Sequence, residues 1–259
     1  MPSDISVLIT NIYNEEYLLP FWLNHHKKIF DHGIIIDYGS TDKSLEICKE
    51  ICPNWEIRKT KNADFAAANA DQELMNVENQ LNGIKMILTI TEFLFCERPL
   101  KEIFINNKTT NVSFAVKQYA AYTETLGMYP KDLKDLYKDV MKKSVLFYFQ
   151  ENRGPRQIHN FSNGNYNIGR HATYNPSVET TDMHILWLGS FPLNEHTMNR
   201  KVNVKTFIPE SDVNQGYSLH HFYDESTMLD KISLHYNMSN TLESVNKRLL
   251  DLIVKEINA

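Results

Sequence analysis

The chain has 259 residues, enough to bury a sizeable core as one large domain, and its 42% hydrophobic and 23% charged content is that of an ordinary globular protein. A net charge of −5, without a Lys/Arg-rich block or a C-x-x-C finger, argues against nucleic acid as a partner. Three cysteines, with Cys48 and Cys52 four apart and Cys96 distant, make no disulfide framework and point to reduced thiols in a cytoplasmic protein. The N-x-S/T triplets at Asn107, Asn111, Asn160 and Asn237 are then chance matches.

The opening "MPSDISVLITNIYNEE" lacks a basic stretch followed by an apolar run and a small-residue cleavage site. The longest apolar run, "GIKMILTITEFLF", is interrupted by Lys85 and Glu92 and is too short to span a bilayer, so no transmembrane segment is expected.

In chain order, "ISVLIT" has the pattern of a buried strand ending in the polar loop "NIYNEE". Pro20 suits the first turn of a helix carrying Phe21, Trp22, His25 and Ile29 on one face. "GIIID" is a continuous apolar run stopping at Asp37, as a parallel strand covered on both faces would be. In "YGSTDKSLEICKEICP", Gly39 predicts a tight turn, Ser40 or Thr41 an N-cap, Asp42 a first-turn acid and Pro53 a stop. "WEIR" is a third strand, the Ala-rich segment up to Gly83 a helix, and "KMILTI" a fourth strand.

This alternation predicts a right-handed, doubly wound, mostly parallel α/β sheet. Ligands of such sheets bind outside the carboxyl ends of the strands, which gathers Asn11–Glu15, Asp37–Ser40 and Thr89–Glu92 around one crevice. After residue 95 the period breaks. "NVSFAVKQYAAYT" reads as one long strand, "YPKDLKDLYKDVMKK" as a polar helix and "VLFYFQ" as a strand. A final amphipathic helix is expected over 241–257, and seven of the ten histidines lie between 159 and 235. Residues 1–95 and 96–259 are thus read as two halves of one domain.

"VLITNIYNEEYLLPFWLNHH" followed by "IIIDYGSTDKS" resembles the opening of family 2-type glycosyltransferases of the GT-A fold. "GNYNIGRHATYNP", "WLGSFPLNEHTMNRK" and "HHFYDESTMLDK" look like that family's closing segments. The resemblance implies transfer of a sugar from a UDP- or GDP-sugar donor to a glycan or glycoconjugate acceptor, in surface-polysaccharide assembly. Asn11, Ile12, Tyr13, Glu15 and Asp37 would hold the nucleoside. Loop closure is the competing role for Asn14 and Glu15, and a helix N-terminal role for Asp42.

One stretch departs from the family. Where members carry D-x-D-E-F after the fourth strand, this chain has Thr89-Ile90-Thr91-Glu92-Phe93, and the aspartate pair that normally holds Mn²⁺ or Mg²⁺ is gone. Three readings stand. Glu92 anchors the metal with help from His221; or transfer is metal-independent, with Arg170, Arg200, Lys201 or a histidine offsetting the phosphate charge; or the fold binds a glycan or nucleotide without catalysis.

For an inverting reaction, Glu195 at the start of a predicted helix is the first candidate base and Asp182 the second, with a plain helix-terminal carboxylate as the competing role of Glu195. His171 would orient the acceptor or contact phosphate, and Trp187 beside Gly189 would offer a sugar platform. The histidines lack zinc-like spacing. A nucleotidyltransferase would carry a Gly-rich basic loop after the first strand, whereas "TNIYNEE" is acidic.

Overall fold

The computed structural model describes residues 5–105, 111–143, 145–148 and 154–259. Asn107 and the end of the predicted strand over 145–150 lie outside them, as does the side chain of Lys201. The first half runs β1 (Ser6–Ile12), α1 (Leu19–His26), β2 (His32–Asp37), α2 (Ser44–Ile51), β3 (Glu56–Lys59), α3 (Ala67–Glu78), β4 (Ile84–Ile87), β5 (Glu92–Cys96) and α4 (Leu100–Ile103). There follow β6 (Ser113–Val116), β7 (Gln118–Tyr122), α5 (Leu133–Lys143), β8 (Val145–Tyr148), β9 (Arg156–His159), β10 (Ser177–Glu179) and β11 (Met183–Trp187). The chain closes with α6 (Glu195–Asn203), α7 (Glu210–Asn214), α8 (Glu225–Met238), α9 (Leu242–Val245) and α10 (Lys247–Asn258).

The strands form a seven-stranded sheet in the order β10-β6-β9-β4-β1-β2-β3 and a four-stranded sheet in the order β5-β11-β7-β8. In the large sheet only β9 runs against the rest, pairing antiparallel with both β4 and β6. The α/β architecture is therefore the one the alternation predicts, a mostly parallel sheet flanked by helices. Each sheet draws strands from both sides of residue 95. The apolar runs Leu8, Ile9, Ile34, Ile35 and Ile36 are buried, which is why they carry no polar alternation.

Two predicted elements differ. The single strand over 111–123 divides at Lys117, its first piece pairing with β9 and β10 in the large sheet and its second with β11 and β8 in the small one. The C-terminal helix divides at Asn246, whose side chain accepts from the Leu249 amide (3.0 Å) and so caps α10.

Helix α1 seals the outer edge of β5. Trp22 Nε1 donates to the Glu92 carbonyl (2.9 Å) and His25 Nε2 to the Leu94 carbonyl (2.5 Å), while the Leu94 amide donates to His26 Nε2 (3.1 Å). An edge strand's exposed polar groups invite further pairing, and three side chains of one helix satisfy these internally. His25 Nδ1 lies 2.7 Å from the Tyr137 hydroxyl, and His26 Nδ1 lies 2.9 Å from the Trp22 carbonyl. His26 accepts at Nε2 and donates at Nδ1, which requires the neutral imidazole. Burial pushes His25 down to about 4, and burial followed by the neighbouring His25 charge pushes His26 well below its ordinary value. The thiols are inert structural groups: burial raises Cys48 and Cys96 to about 12 and Cys52 to about 11. Among the described residues no helix is long and apolar enough to cross a membrane.

Candidate active site

A cavity of about 480 Å³ opens at the carboxyl ends of the parallel strands, where ligands of open α/β sheets bind. Its first-half wall comprises Asn11, Ile12, Tyr13 and Glu15 after β1, Phe65, Ala67, Ala70 and Asp71 around the start of α3, and Thr89, Ile90 and Thr91 after β4. The second half supplies Arg156, Gly169, Arg170 and His171, then Trp187, Gly189, Ser190 and Arg200, and a group running from Ser218 to His235.

The loops after β1 and β2 clasp each other through side chains. Asn14 Oδ1 accepts from the Thr41 amide (2.7 Å), Ser40 Oγ from the Asn14 amide (3.1 Å), Ser44 Oγ from the Glu15 amide (2.8 Å) and Asp42 Oδ2 from the Glu16 amide (3.0 Å). Glu16 returns the bond by accepting from the Lys43 amide (3.1 Å). Gly39, at φ +87°, makes the tight turn, and both Asp37 carboxylate oxygens are occupied, by the amides of Gly39 (3.1 Å) and Ser40 (3.0 Å). The spacing of "YNEE" to "DYGSTDKS" thus has a structural function, and Asp37 does not line the cavity.

Three ion pairs, two buried and one half-buried, brace the cavity. Arg200 grips Glu15 with Nε (2.5 Å) and Nη2 (2.8 Å), joining α6 to the β1 loop. Burial raises the Glu15 proton affinity above the ordinary carboxylate value, and the Arg200 charge opposes the shift. Arg170, at φ +58°, pairs with Asp71, which also accepts from the Gly169 amide (2.6 Å). The Arg170 Nε is buried without a partner. Arg156 Nε donates to Glu92 Oε1 (2.8 Å), and its Nη1 donates to the Gly169 carbonyl (2.5 Å).

One face of α3 fastens the loop that carries Gly169 to His171. Asp71, Met75, Glu78 and Asn79, spaced i, i+4, i+7 and i+8, each contact it. Glu78 is fully buried, accepting from the Gly164 amide (2.7 Å) and the Tyr166 hydroxyl (3.0 Å) and lying 3.0 Å from His159 Nε2. A residue with positive φ next to the cavity is held there by this docking.

The stretch Thr89-Ile90-Thr91-Glu92 separates into two roles. Thr89 and Thr91 line the cavity and their hydroxyls share a hydrogen bond (3.0 Å). The Glu92 carboxylate is fully buried against Arg156 and the Thr89 amide (2.8 Å) and does not line the cavity. Glu92 thus stands off the cavity wall, its negative charge balanced by a guanidinium. His221 lines the cavity, but among the described residues no three His, Cys, Asp or Glu side chains are grouped to hold a metal ion.

The expected nucleoside residues Asn11, Ile12, Tyr13 and Glu15 do line the cavity, as do Arg170, His171, Arg200 and Trp187. Gly189 lets the indole fold back, since a Cβ there would lie 1.9 Å from the Trp187 ring. The two candidate bases do not reach the wall. Glu195 is exposed in the first turn of α6, behind the Asn194 cap, and Asp182 sits before β11, paired with Arg98 (2.6 Å), at the opposite end of that strand from Trp187. Sequence reasoning passed over Arg156, Asp71 and Lys231. For Asp71 a signal existed: it shares the apolar face Ala70, Leu74 and Val77 of α3, where an acid is costly unless paired.

No family model matches the chain, and no curated protein matches it. Among solved structures it is similar to S. aureus TarS 1–349, at 12% identity over 94% of this chain and 73% of that one, with a TM-score of 0.42. It is also similar to HddC from Yersinia pseudotuberculosis, at 7% identity over 78% and 99% of the two chains, with a TM-score of 0.41. Core-mannan synthase A from Aspergillus fumigatus aligns over 46% of this chain and 43% of its own, at 10% identity and a TM-score of 0.27. Likeness at that level does not determine function.

Proposed function

We propose that the cavity binds the diphosphate of a UDP- or GDP-sugar and that the protein is a glycosyltransferase acting on a glycan or glycoconjugate hydroxyl. The observation that carries this reading is the placement of Arg156, Arg170 and Arg200 on the wall of a cavity that also contains Thr89 and Thr91, the positions where the resembled family carries its metal-binding aspartates. A departing diphosphate needs its charge stabilised, and planar guanidinium groups do this through paired N–H donors. Fixed by Glu15, Asp71 and Glu92, they need no reorganisation when charge develops. Tyr13 and Phe65 supply aromatic surface for the base on the first-half wall.

In the reaction proposed, the acceptor oxygen bonds to the anomeric carbon, the bond from that carbon to the diphosphate oxygen breaks, and the electron pair leaves with the diphosphate. The acceptor proton goes to a carboxylate of the wall, Glu15 or Asp71, since Glu195 and Asp182 lie elsewhere. Because Glu92 is matched to Arg156, the transfer is proposed to proceed without Mn²⁺ or Mg²⁺. Binding without transfer is the second reading, favoured by the engagement of both wall carboxylates with arginines.

The test is thermal stabilisation and turnover over a panel of UDP- and GDP-sugars, with Mn²⁺ and with EDTA. Stabilisation and turnover that persist in EDTA are expected. Strict Mn²⁺ dependence would overturn the metal-free assignment, and no stabilisation by any nucleotide would overturn donor binding. Stabilisation without turnover would favour the second reading.

A further inference from the structure

We infer that the acceptor carries an anionic group, a phosphate or a carboxylate, near the hydroxyl that receives the sugar. The inference rests on the donor reading above and concerns the opposite wall of the same cavity. Both carboxylates that line the cavity, Glu15 and Asp71, come from the first half, and each already holds an arginine. Among the described residues, the wall contributed by residues 122–235 contains no aspartate or glutamate. The acids nearest in sequence, Asp224, Glu225 and Asp230, do not line it.

That wall instead brings together Lys231 and His235, one turn apart on α8, with His220 and His221 from the preceding 3-10 turn. Lys231 lies over the Tyr223 ring (4.9 Å) and has no carboxylate partner among the described residues. The three arginines have carboxylate partners, whereas Lys231 stands beside the imidazoles of His220, His221 and His235 with none among the described residues. Trp187 and Tyr122 line the same wall, with Tyr122 5.1 Å from the His235 ring. Aromatic faces take a sugar ring, and a lysine at the cavity wall takes its acidic substituent. Lys231 is itself solvent-exposed at the cavity wall, so the substituent is expected to face the opening.

Calorimetric titration separates the outcomes. UDP and GDP are first titrated alone, which reports on the donor reading by itself. Glucose 6-phosphate, glucuronate and glucose are then titrated with the donor side saturated by whichever nucleotide binds, or with no nucleotide if neither does. At least one of the two anions is expected to bind about 10-fold more tightly than glucose, in keeping with a hydrogen bond to a charged group, and the tighter one identifies the substituent. Lys231→Met should remove that preference and Lys231→Arg keep it, both with nucleotide affinity unchanged. Glucose binding as tightly as both anions, no measurable binding of either anion, or an anion preference that survives Lys231→Met would each overturn the inference. Anion binding abolished by the nucleotide would also overturn it, by assigning these cations to the donor.

Discussion

Residues 5–96 approach the cavity through strand ends and loops locked by side chain-to-backbone hydrogen bonds, whereas residues 154–259 approach it through long cationic side chains on a docked loop and on helix faces. The loops of the first region are held locally: Asn14, Ser40, Asp42 and Ser44 clasp the two β–α loops against each other within 31 residues of sequence. The second is positioned by the first. Arg156, Arg170 and Arg200 are held by Glu92, Asp71 and Glu15, each a carboxylate from the other region. Shape at this cavity is therefore set locally, and charge is set by pairing across the chain.

The contrast breaks most sharply at Arg156. Arg156→Leu leaves the Glu92 carboxylate buried without its guanidinium, and urea unfolding should show a loss of about 3–5 kcal/mol. A loss below about 1 kcal/mol would mean the cross-chain pairs are dispensable.

Next comes acid. His25 titrates near 4 in the folded protein against about 6.5 unfolded, so below pH 6.5 the unfolded chain binds more protons. Stability should be complete above pH 6.5 and fall as pH drops toward 4, by about 3 kcal/mol from this group. His25→Gln should flatten that slope in urea titrations at pH 7, 6 and 5. An unchanged slope would show that sealing β5 does not depend on the neutral ring.

The smallest effect is expected at Glu195. As an exposed first-turn acid, Glu195→Gln should change stability by no more than about 0.5 kcal/mol and leave the proposed transfer intact. Lost transfer with nucleotide binding preserved would return the base role to Glu195 and show that the helix moves to the wall.

The parallel sheet was legible because burial on both faces forces uninterrupted apolar runs such as "GIIID", and because Gly39 and Pro20 punctuate them. The strand break at Lys117 was not legible, since β6 and β7 are both locally strand-like and only their separate partners distinguish them. Trp22 and His25 were visible as spaced residues, but their use in sealing β5 depends on a strand about 70 residues away. Asp37 and Glu92 looked like ligand residues because an acid at a strand end suits either a ligand or a backbone amide, and here the amides and Arg156 took them.

By itself, then, the sequence determined the strand–helix alternation and the end of the sheet at which the cavity opens, both of which follow from local periodicity and residue type. Tertiary structure decided which charges face the cavity. Charge pairing depends on distance in space, and the partners of Glu15, Asp71 and Glu92 lie 64 to 185 residues away along the chain.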